Sequence, residues 1–404
     1  MTATAMPAAA NAGFDVDQPA VDPVTVEVLG SAFLSIAEEM GEALVKASYS
    51  TNIKERRDCS TALFDVEGRT LCQAEHIPMH LGSFLGFVPL LLQRFPVETI
   101  VPGDVFIGND AYEGGGTHLP DFVLAEPVFV DGRIVAWAIN TAHHSDFADR
   151  GHAHIYQEGL RIPPVRLMAG GRLQEDIQNL ILANCQVPRE RLSDLRAQLA
   201  ANRLGVQRLN ALHERYGTPT VLAAGRELQD YAERRMRAGI GKIPDGVYAF
   251  EDVFESIEIP EPMPLKVEIT VRGSEMHLRF EAPPQVRAGA NLIYTALLSA
   301  VYYAVKSVVD PEVPPNAGMA RPITVEATPG SLLNCVHPAA VNGRMGPAQR
   351  VVDLVHGALN NALPGRIPAA SASATVGALF SGIRPDNGKL WVYLEAIGGG
   401  GGAP

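Results

Sequence analysis

Histidine and carboxylate residues are concentrated in one stretch of this chain. Seven of the eleven histidines lie between His76 and His154, and aspartates and glutamates are interleaved among them. Imidazole nitrogens and carboxylate oxygens are the ligands that a catalytic divalent metal selects. The sequence therefore predicts that the functional site lies in this stretch.

The strongest local motif is Gly114-Gly-Gly-Thr-His118-Leu-Pro-Asp121. Glycines let the backbone pass close to a ligand, and the proline restricts the turn, so His118 and Asp121 can converge on one point. His143 ends a predicted hairpin whose first strand begins just after Asp121. Because antiparallel neighbours meet at one end of a sheet, His118, Asp121 and His143 are predicted to hold a metal. The alternative is that these histidines are hydrogen-bonded structural residues.

Two further residues follow His143 closely in the chain. His144 and Asp146 are predicted to be hydrogen-bond partners that orient His143, because metal-binding imidazoles are held by such partners. The same alternative applies to His144, since a histidine in a loop is often a purely structural residue.

Glu75, His76 and His80 follow the first predicted hairpin and are predicted to face the same cleft. A carboxylate or imidazole poised near neutrality can take a proton from water, so these three residues are candidates for general acid and base catalysis. Loop capping or core packing is the alternative for all three.

Charged residues at two other places are weaker candidates. Glu158 and Arg161 could bind the carboxylate or phosphate of a substrate, with a local salt bridge as the alternative. Arg56-Arg57-Asp58, taken by itself, has the pattern of a surface charge cluster.

The elements around these residues are predicted from periodicity and turn residues. An amphipathic helix begins after Asp22-Pro23 and ends near Tyr49, because apolar residues recur there at spacings of three and four. A hairpin turns at Glu67-Gly68, and a short apolar helix covers 82–95. A second hairpin pairs 122–130 with 134–141 and turns at Asp131-Gly132. The candidate residues thus lie at strand ends and in the adjoining loops.

The rest of the chain alternates between helical and strand patterns. Three helices are predicted over 173–240, antiparallel strands over 248–281 and a buried helix over 292–308. The fold class is α+β, with an antiparallel or mixed sheet core, a helical insert and a second αβ segment. We expect a disordered arm at 1–21, a metal-site αβ domain at 22–170, the insert at 171–241 and a carboxy-terminal αβ domain at 242–404. The five glycines that begin at Gly398 resemble a loop cut short.

Composition excludes several classes of function. The net charge of −12 argues against a surface for nucleic acid or anionic membranes, which needs clustered Lys and Arg. The sequence shows neither an export signal nor an apolar run of the roughly 20 residues that a membrane span needs. Four dispersed cysteines favour a reducing cytoplasm. The chain has no GxxxxGK[ST] or GxSxG motif, so neither ATP binding nor a serine nucleophile is expected.

Several motifs, in order from about residue 22 to the end, resemble the hydantoinase B/oxoprolinase family. The resemblance is carried by Ser50-Thr-Asn-Ile-Lys-Glu-Arg-Arg-Asp-Cys-Ser, Ala62-Leu-Phe-Asp, Gln73-Ala-Glu-His-Ile-Pro-Met-His-Leu-Gly, Gly103-Asp-Val-Phe-Ile-Gly-Asn-Asp-Ala-Tyr, Gly115-Gly-Thr-His-Leu-Pro-Asp, Ala142-His-His-Ser-Asp, Glu158-Gly-Leu-Arg-Ile-Pro-Pro, Val301-Tyr-Tyr-Ala and Asp310-Pro-Glu-Val-Pro-Pro-Asn-Ala-Gly.

The resemblance implies a divalent metal, manganese, zinc or similar, at the positions Asp58, His118, Asp121 and His143. It also implies a hetero-oligomer in which an ATP-binding A-type subunit phosphorylates a cyclic amide. ATP would then be bound by that partner and not by this chain, which agrees with the missing P-loop. The resemblance also implies that related chains continue beyond the glycine-rich motif at which this sequence stops.

The expected function is that of the B-type subunit of an ATP-dependent cyclic amide hydrolase, of the N-methylhydantoinase or 5-oxoprolinase type. Such a subunit hydrolyses a lactam or hydantoin ring after the partner has activated it. One alternative is the metal-bearing subunit of an acetone or acetophenone carboxylase, and another is a non-catalytic scaffold for the ATP-binding partner.

Overall fold

The computed structural model describes residues 20–74, 76–113, 115–144 and 153–399. Helix α1, Pro23–Ala47, begins at Asp22, whose carboxylate accepts the backbone N–H groups of Val24 and Thr25. This side chain satisfies amide groups that the first turn leaves without partners. The predicted amphipathic helix is confirmed. Most of the predicted arm at 1–21 lies outside the described residues.

Seven strands form an antiparallel sheet in the first half of the described chain. The strands are β1 Cys59–Asp65, β2 Thr70–Gln73, β3 Val105–Gly108, β4 Asp121–Val130, β5 Arg133–His143, β6 Val165–Ala169 and β7 Arg172–Leu173. Their order across the sheet is β2-β1-β5-β4-β3-β6-β7. Both predicted hairpins are confirmed, and β1 pairs with β5 although three strands separate them in the chain.

Three short helices lie before and after the first hairpin: α2 Thr51–Lys54, α3 His80–Phe84 and α4 Phe87–Arg94. The single helix predicted over 82–95 is wrong, because Gly86 adopts a left-handed conformation with φ of 82°. Glycine enters this region without the steric penalty of a side chain, and the chain turns there between two helices.

The seven-stranded sheet is buried on both faces. In β1, Leu63 belongs to the cluster that packs against α1, whereas Ala62 and Phe64 pack with Phe84 and Phe87 on the opposite face. Successive side chains of a strand point to opposite faces, so one strand contributes to both layers. The helices thus hold the sheet, and with it the strand ends, in place.

Three helices follow the first sheet in the chain, and the longest of them packs against it. These are α5 Glu175–Ala183, α6 Pro188–Tyr216 and α7 Thr218–Ile240. Helix α6 packs along α1 and against β4 and β5, and α7 also contacts α1. The three predicted helices are confirmed, while the division of the chain at 170 and 241 stays a prediction.

A second sheet and its helices make up the rest of the described chain. The elements are β8 Gly246–Ser256, β9 Ile259–Arg272, β10 Glu275–Glu281, α8 Tyr294–Val309, α9 Ala317–Ala320, β11 Ile323–Ala327, α10 Met345–Leu359, β12 Thr375–Ile383 and β13 Leu390–Gly398. The order in the sheet is β11-β10-β9-β8, with β10 and β11 parallel and the other pairs antiparallel. Helix α10 packs against α8, β8 and β9. The predicted α+β class with antiparallel and mixed sheets is confirmed.

The hairpin of β4 and β5 contains a bulge near its turn. Val128 pairs with Ala136, whereas Phe129 pairs with Ile134. Val135 of β5 therefore has no paired residue on β4. From the bulge to the open end the register is regular, and Asp121 lies opposite His143. Among the described residues, no helix is both long enough and apolar enough to cross a membrane.

Candidate metal centre

Three of the predicted ligands converge at the open end of the β4–β5 hairpin. Asp121 and His143 are cross-strand partners, and His118 lies three residues before Asp121. Potential ligand atoms of His118, Asp121 and His143 all lie within 4.8 Å of one another. The predicted convergence is therefore present, and it follows from hairpin register, because cross-strand partners share a face of the sheet.

Asp58 reaches the same edge through the neighbouring strand. It precedes β1, and its carbonyl oxygen accepts the backbone N–H of His143 at 3.0 Å. Its carboxylate Oδ1 lies 3.6 Å from Nε2 of His80, and that nitrogen lies 3.8 Å from Oδ1 of Asp121. Asp58 thus lies beside the group of three, with His80 between the two carboxylates.

The carboxylate of Asp121 is fully buried and is surrounded by cationic and hydrogen-bonding groups. Its Oδ1 lies 3.0 Å from Nε2 of His118, and its Oδ2 accepts a hydrogen bond from Arg344 at 2.9 Å. Burial alone would raise the pKa of Asp121, but His118 and Arg344 hold it well below its usual value. Asp121 is therefore a charged oxygen donor inside the protein.

Burial favours the neutral form of the imidazoles of the site. Burial lowers the pKa of His80, His118 and His143, and that of His143 falls to about 4. Neutral imidazole is the form that binds a metal. Two or three neutral imidazoles with two carboxylates are a mixed nitrogen and oxygen donor set, which fits a borderline or hard divalent cation.

Two asparagines contact the Nδ1 atoms of the imidazoles of His118 and His143. Oδ1 of Asn342 lies 3.1 Å from Nδ1 of His118, and Nδ2 of Asn52 lies 2.9 Å from Nδ1 of His143. The Asn52 amide also donates to the carbonyl oxygen of His143 at 2.8 Å. Partners of this kind fix the ring orientation of metal-binding histidines.

The candidates for acid and base catalysis lie in different surroundings. His80 is buried at the start of α3, and its Nδ1 lies 2.9 Å from Oγ of Ser60. His76 lies away from the predicted ligands, where a methyl group on Gly41 would come within 2.5 Å of its ring. Glu75 lies outside the described residues. The structure brings His80 to the centre and does not bring His76 there.

The residues that follow His143 are placed as follows. His144 stacks on Phe122 with ring centroids 4.4 Å apart, and its Nε2 lies 3.0 Å from Oε1 of Gln198 on α6. Its described hydrogen bond therefore goes to α6 and not to His143. Asp146 lies outside the described residues. Their predicted role in orienting His143 stays a prediction.

The two predicted substrate-binding residues have protein partners. The carboxylate of Glu158 is buried and accepts the backbone N–H groups of Val341 and Asn342 at 2.7 and 2.6 Å. Burial raises the pKa of Glu158 to about 7. Arg161 forms an ion pair with Asp110 at 2.6 Å, which is the local salt bridge named as its alternative. Substrate binding by either residue stays a prediction.

Comparison with known proteins decides the family. The family model described as Hydantoinase B/oxoprolinase matches residues 22–404. The chain belongs to the hydantoinase B/oxoprolinase family. The family predicted from the motifs is confirmed.

Similar proteins include a caprolactamase subunit and a 5-oxoprolinase. The caprolactamase subunit beta of Pseudomonas jessenii is 34% identical over 397 residues, which are 95% of this chain and 68% of the relative. A 5-oxoprolinase of Saccharomyces cerevisiae is 30% identical over 97% of this chain and 32% of its own length. The chain thus spans about two thirds of one relative and a third of the other.

Two solved structures resemble the chain, and the first of them agrees with this family. The crystal structure of the ATP-dependent caprolactamase from Pseudomonas jessenii matches with a TM-score of 0.85, covering 92% of this chain and 66% of that one, at 34% identity. A nucleotide-free acetone carboxylase matches with a TM-score of 0.80 over 92% of this chain and 53% of that one. At 16% identity the second match shows a shared fold alone.

Sequence reasoning missed three residues that contact the predicted ligands. Arg344 donates to Thr117 at 2.6 Å and to Asp121, while Asn342 and Asn52 contact the two histidines. Arg344 and Asn342 lie more than 200 residues from His118 in the chain, so no local spacing reveals them. The polar run Asn342-Gly-Arg344, within an otherwise apolar segment, was the one sequence feature that could have pointed to these two residues.

Proposed function

We propose that this chain is the hydrolytic B-type subunit of an ATP-dependent cyclic amide hydrolase. The observation that carries the proposal is the convergence of His118, Asp121 and His143 at one sheet edge. Support also comes from the names of relatives, which include a caprolactamase subunit beta and a 5-oxoprolinase. Both names describe opening of a lactam ring.

A divalent cation, manganese, zinc or similar, would be held by Asp58, His118, Asp121 and His143. When bound, such an ion polarises the oxygen on the reacting carbon and lowers the pKa of water toward neutrality. The fit rests on the donor set, since burial lowers the pKa of both imidazoles, while His118 and Arg344 hold the pKa of Asp121 well below its usual value. Asn342 and Asn52 would keep the two rings in orientation.

His80 is the residue best placed to take the proton from the attacking water. Its Nε2 faces the carboxylates of Asp58 and Asp121, and Ser60 holds its other nitrogen. These negative charges stabilise the protonated imidazole after the transfer. Glu75, named with His76 for this role from sequence, lies outside the described residues.

The proposed reaction needs activation by phosphate because amide resonance stabilises the ring. A partner subunit with its own ATP site would phosphorylate the amide oxygen. Water then adds to the ring carbon, the C–N bond breaks with a proton passing to nitrogen, and a second water releases phosphate from the acyl phosphate. The four dispersed cysteines and the need for ATP favour the cytoplasm as the compartment.

Metal analysis and coupled turnover test this proposal together. The chain, co-purified with its ATP-binding partner, is expected to hold about one equivalent of Mn or Zn. Asp121→Asn is expected to lose that ion and all turnover. Asp131→Asn is the matched control, because Asp131 is an exposed carboxylate at the turn of the same hairpin and Asn tolerates its positive φ.

Substrate choice decides between the proposal and the carboxylase alternative. The complex is supplied with ATP and 5-oxoproline, hydantoin or caprolactam, and separately with acetone and bicarbonate. Ring opening coupled to phosphate release supports the proposal. Turnover with ketone and bicarbonate only, or a complex that holds no stoichiometric ion, contradicts it.

A further inference from the structure

A cavity lies beside the metal centre and is lined by other residues. It has a volume of about 370 Å³ and lies between the segment 73–81, which begins at the last residue of β2, and helix α8. Small-molecule sites in proteins begin at about 300 Å³, so the cavity can take a small ligand. None of the four predicted metal ligands lines it.

Most of the cavity wall is apolar. Pro78 and Leu81 contribute from one side, and Pro311, Pro315 and Met319 contribute from the segment between α8 and β11. A wall of this kind favours the apolar part of a ligand, because burying apolar surface is the main source of affinity for small molecules.

Lys306 places a positive charge at this apolar wall. The side chain is partly buried on α8, and its ammonium group donates a hydrogen bond to the carbonyl oxygen of Pro311. Among the described residues, no carboxylate lies within ion-pair distance of Lys306, and the nearby Asp310 is paired with Arg235. The cation is therefore available to an anionic group of a ligand.

His76 supplies a second polar group to the cavity. Its ring lies between Gly41 of α1 and the cavity, and it is partly buried. Its Nδ1 is buried and has no hydrogen-bond partner among the described residues. Because a buried polar atom without a partner costs free energy, a ligand atom that bonds to it is favoured.

We propose that this cavity binds a small organic carboxylate with an apolar body. The carboxylate contacts Lys306 within reach of His76, and the apolar body lies against Pro311, Pro315 and Met319. Inorganic phosphate fits less well, because it has no apolar part to cover that wall. The site goes beyond the proposed hydrolysis and does not depend on it.

The cavity and the metal centre share one wall. His76 lines the cavity, and His80, four residues later, faces Asp58 and Asp121. Between them, the backbone N–H of Ile77 donates to Oγ of Ser60, which also contacts His80. A ligand in the cavity thus lies beside the metal centre and not in it.

Binding of hexanoate to metal-free protein tests the proposal. Metal is removed with a chelator so that the carboxylate cannot bind a cation, and binding is followed by ligand-detected NMR titration. We expect a Kd on the order of 1 mM, which is typical of a weak small ligand. Hexan-1-ol, which lacks the charge, and inorganic phosphate, which lacks the apolar body, are expected to bind at least about tenfold more weakly.

Variants locate the binding. Lys306→Met keeps the apolar stem and removes the charge, so hexanoate affinity is expected to fall about tenfold or more, whereas Lys306→Arg stays within about threefold. Lys242→Met, at an exposed lysine elsewhere, is the matched control and leaves Kd unchanged.

Two results overturn the proposal: equal affinity of Lys306→Met and wild type, or hexan-1-ol binding as tightly as hexanoate. If Lys306→Met does not fold, the ratio of hexanoate to hexan-1-ol affinity on the wild type decides, together with Lys306→Arg. Because the assay uses neither metal nor turnover, its failure is distinct from failure of the proposed function.

Discussion

Arg344→Met is expected to destabilise the metal-free protein strongly. Arg344 is 5% exposed and donates hydrogen bonds to Thr117 and Asp121, and Asp121 is fully buried. After the substitution, Oδ2 of Asp121 keeps one described hydrogen bond, from Thr117 at 3.4 Å. A buried charge that loses its partner costs about 3–5 kcal/mol in the free energy of unfolding.

Thermal unfolding followed by circular dichroism measures this effect. At about 2 °C per kcal/mol in a large domain, the midpoint of the metal-free variant is expected to fall by about 6–10 °C. Saturating Mn²⁺ is expected to narrow the gap to wild type, because a bound dication supplies Asp121 with the positive charge that Arg344 provided.

Arg208→Met is the matched control for this experiment. Arg208 pairs with Glu39 at 2.8 Å, but the two side chains are 56% and 47% exposed. Exposed pairs contribute about 0–1 kcal/mol, so the midpoint should fall by no more than about 2 °C. Equal shifts for the two variants would refute the inference that the buried carboxylate depends on Arg344.

Three further predictions concern single side chains. Asn342→Ala is expected to weaken metal affinity about 10–100-fold, measured by competition with a chelator, because His118 loses the partner of its Nδ1. Burial raises the pKa of Glu126 to about 7, so its contribution to stability is full below pH 4.5 and is lost as pH rises through 7. In urea unfolding, Glu126→Gln should therefore remove up to about 3 kcal/mol of the fall in the free energy of unfolding between pH 5 and 8. An unchanged pH profile would contradict this prediction. Gly86→Ala should cost about 1 kcal/mol or more in the same assay, since φ there is 82°.

The parts of the fold that depend on local patterns were predictable. Helix α1 and both hairpins follow from periodicity and from turn residues such as Asp131-Gly132, which act over short distances in the chain. The break at Gly86 was not predictable, because one glycine within an apolar run is compatible with a continuous helix or with a turn. Phe84 and Phe87, on either side of this glycine, both pack in the core, and such long-range packing cannot be derived from local spacing.

The candidate site also contains residues that the sequence could place and residues that it could not. His118, Asp121 and His143 could be placed together from sequence because they lie in one hairpin and its preceding turn. Asp58 could not, since β1 reaches β5 across three intervening strands, and only the family resemblance pointed to it. Arg344 and Asn342 arrive through a loop from the far end of the chain, and nothing in local spacing encodes such an approach.

The bulge between β4 and β5 has a chemical consequence far from its own position. From the turn to the pair Phe129–Ile134, the residue numbers of paired residues sum to 263. From the bulge to the open end of the hairpin, they sum to 264. If Val135 were paired and the strands continued without a bulge, Asp121 would face Ala142, and the imidazole of His143 would lie on the other side of the sheet. Deletion of Val135 should therefore remove the bulge, keep Asp121 opposite His143 and retain metal affinity while the hairpin still forms. The bulge takes one residue of β5 out of the pairing, and this places Asp121 and His143 opposite each other at the open end.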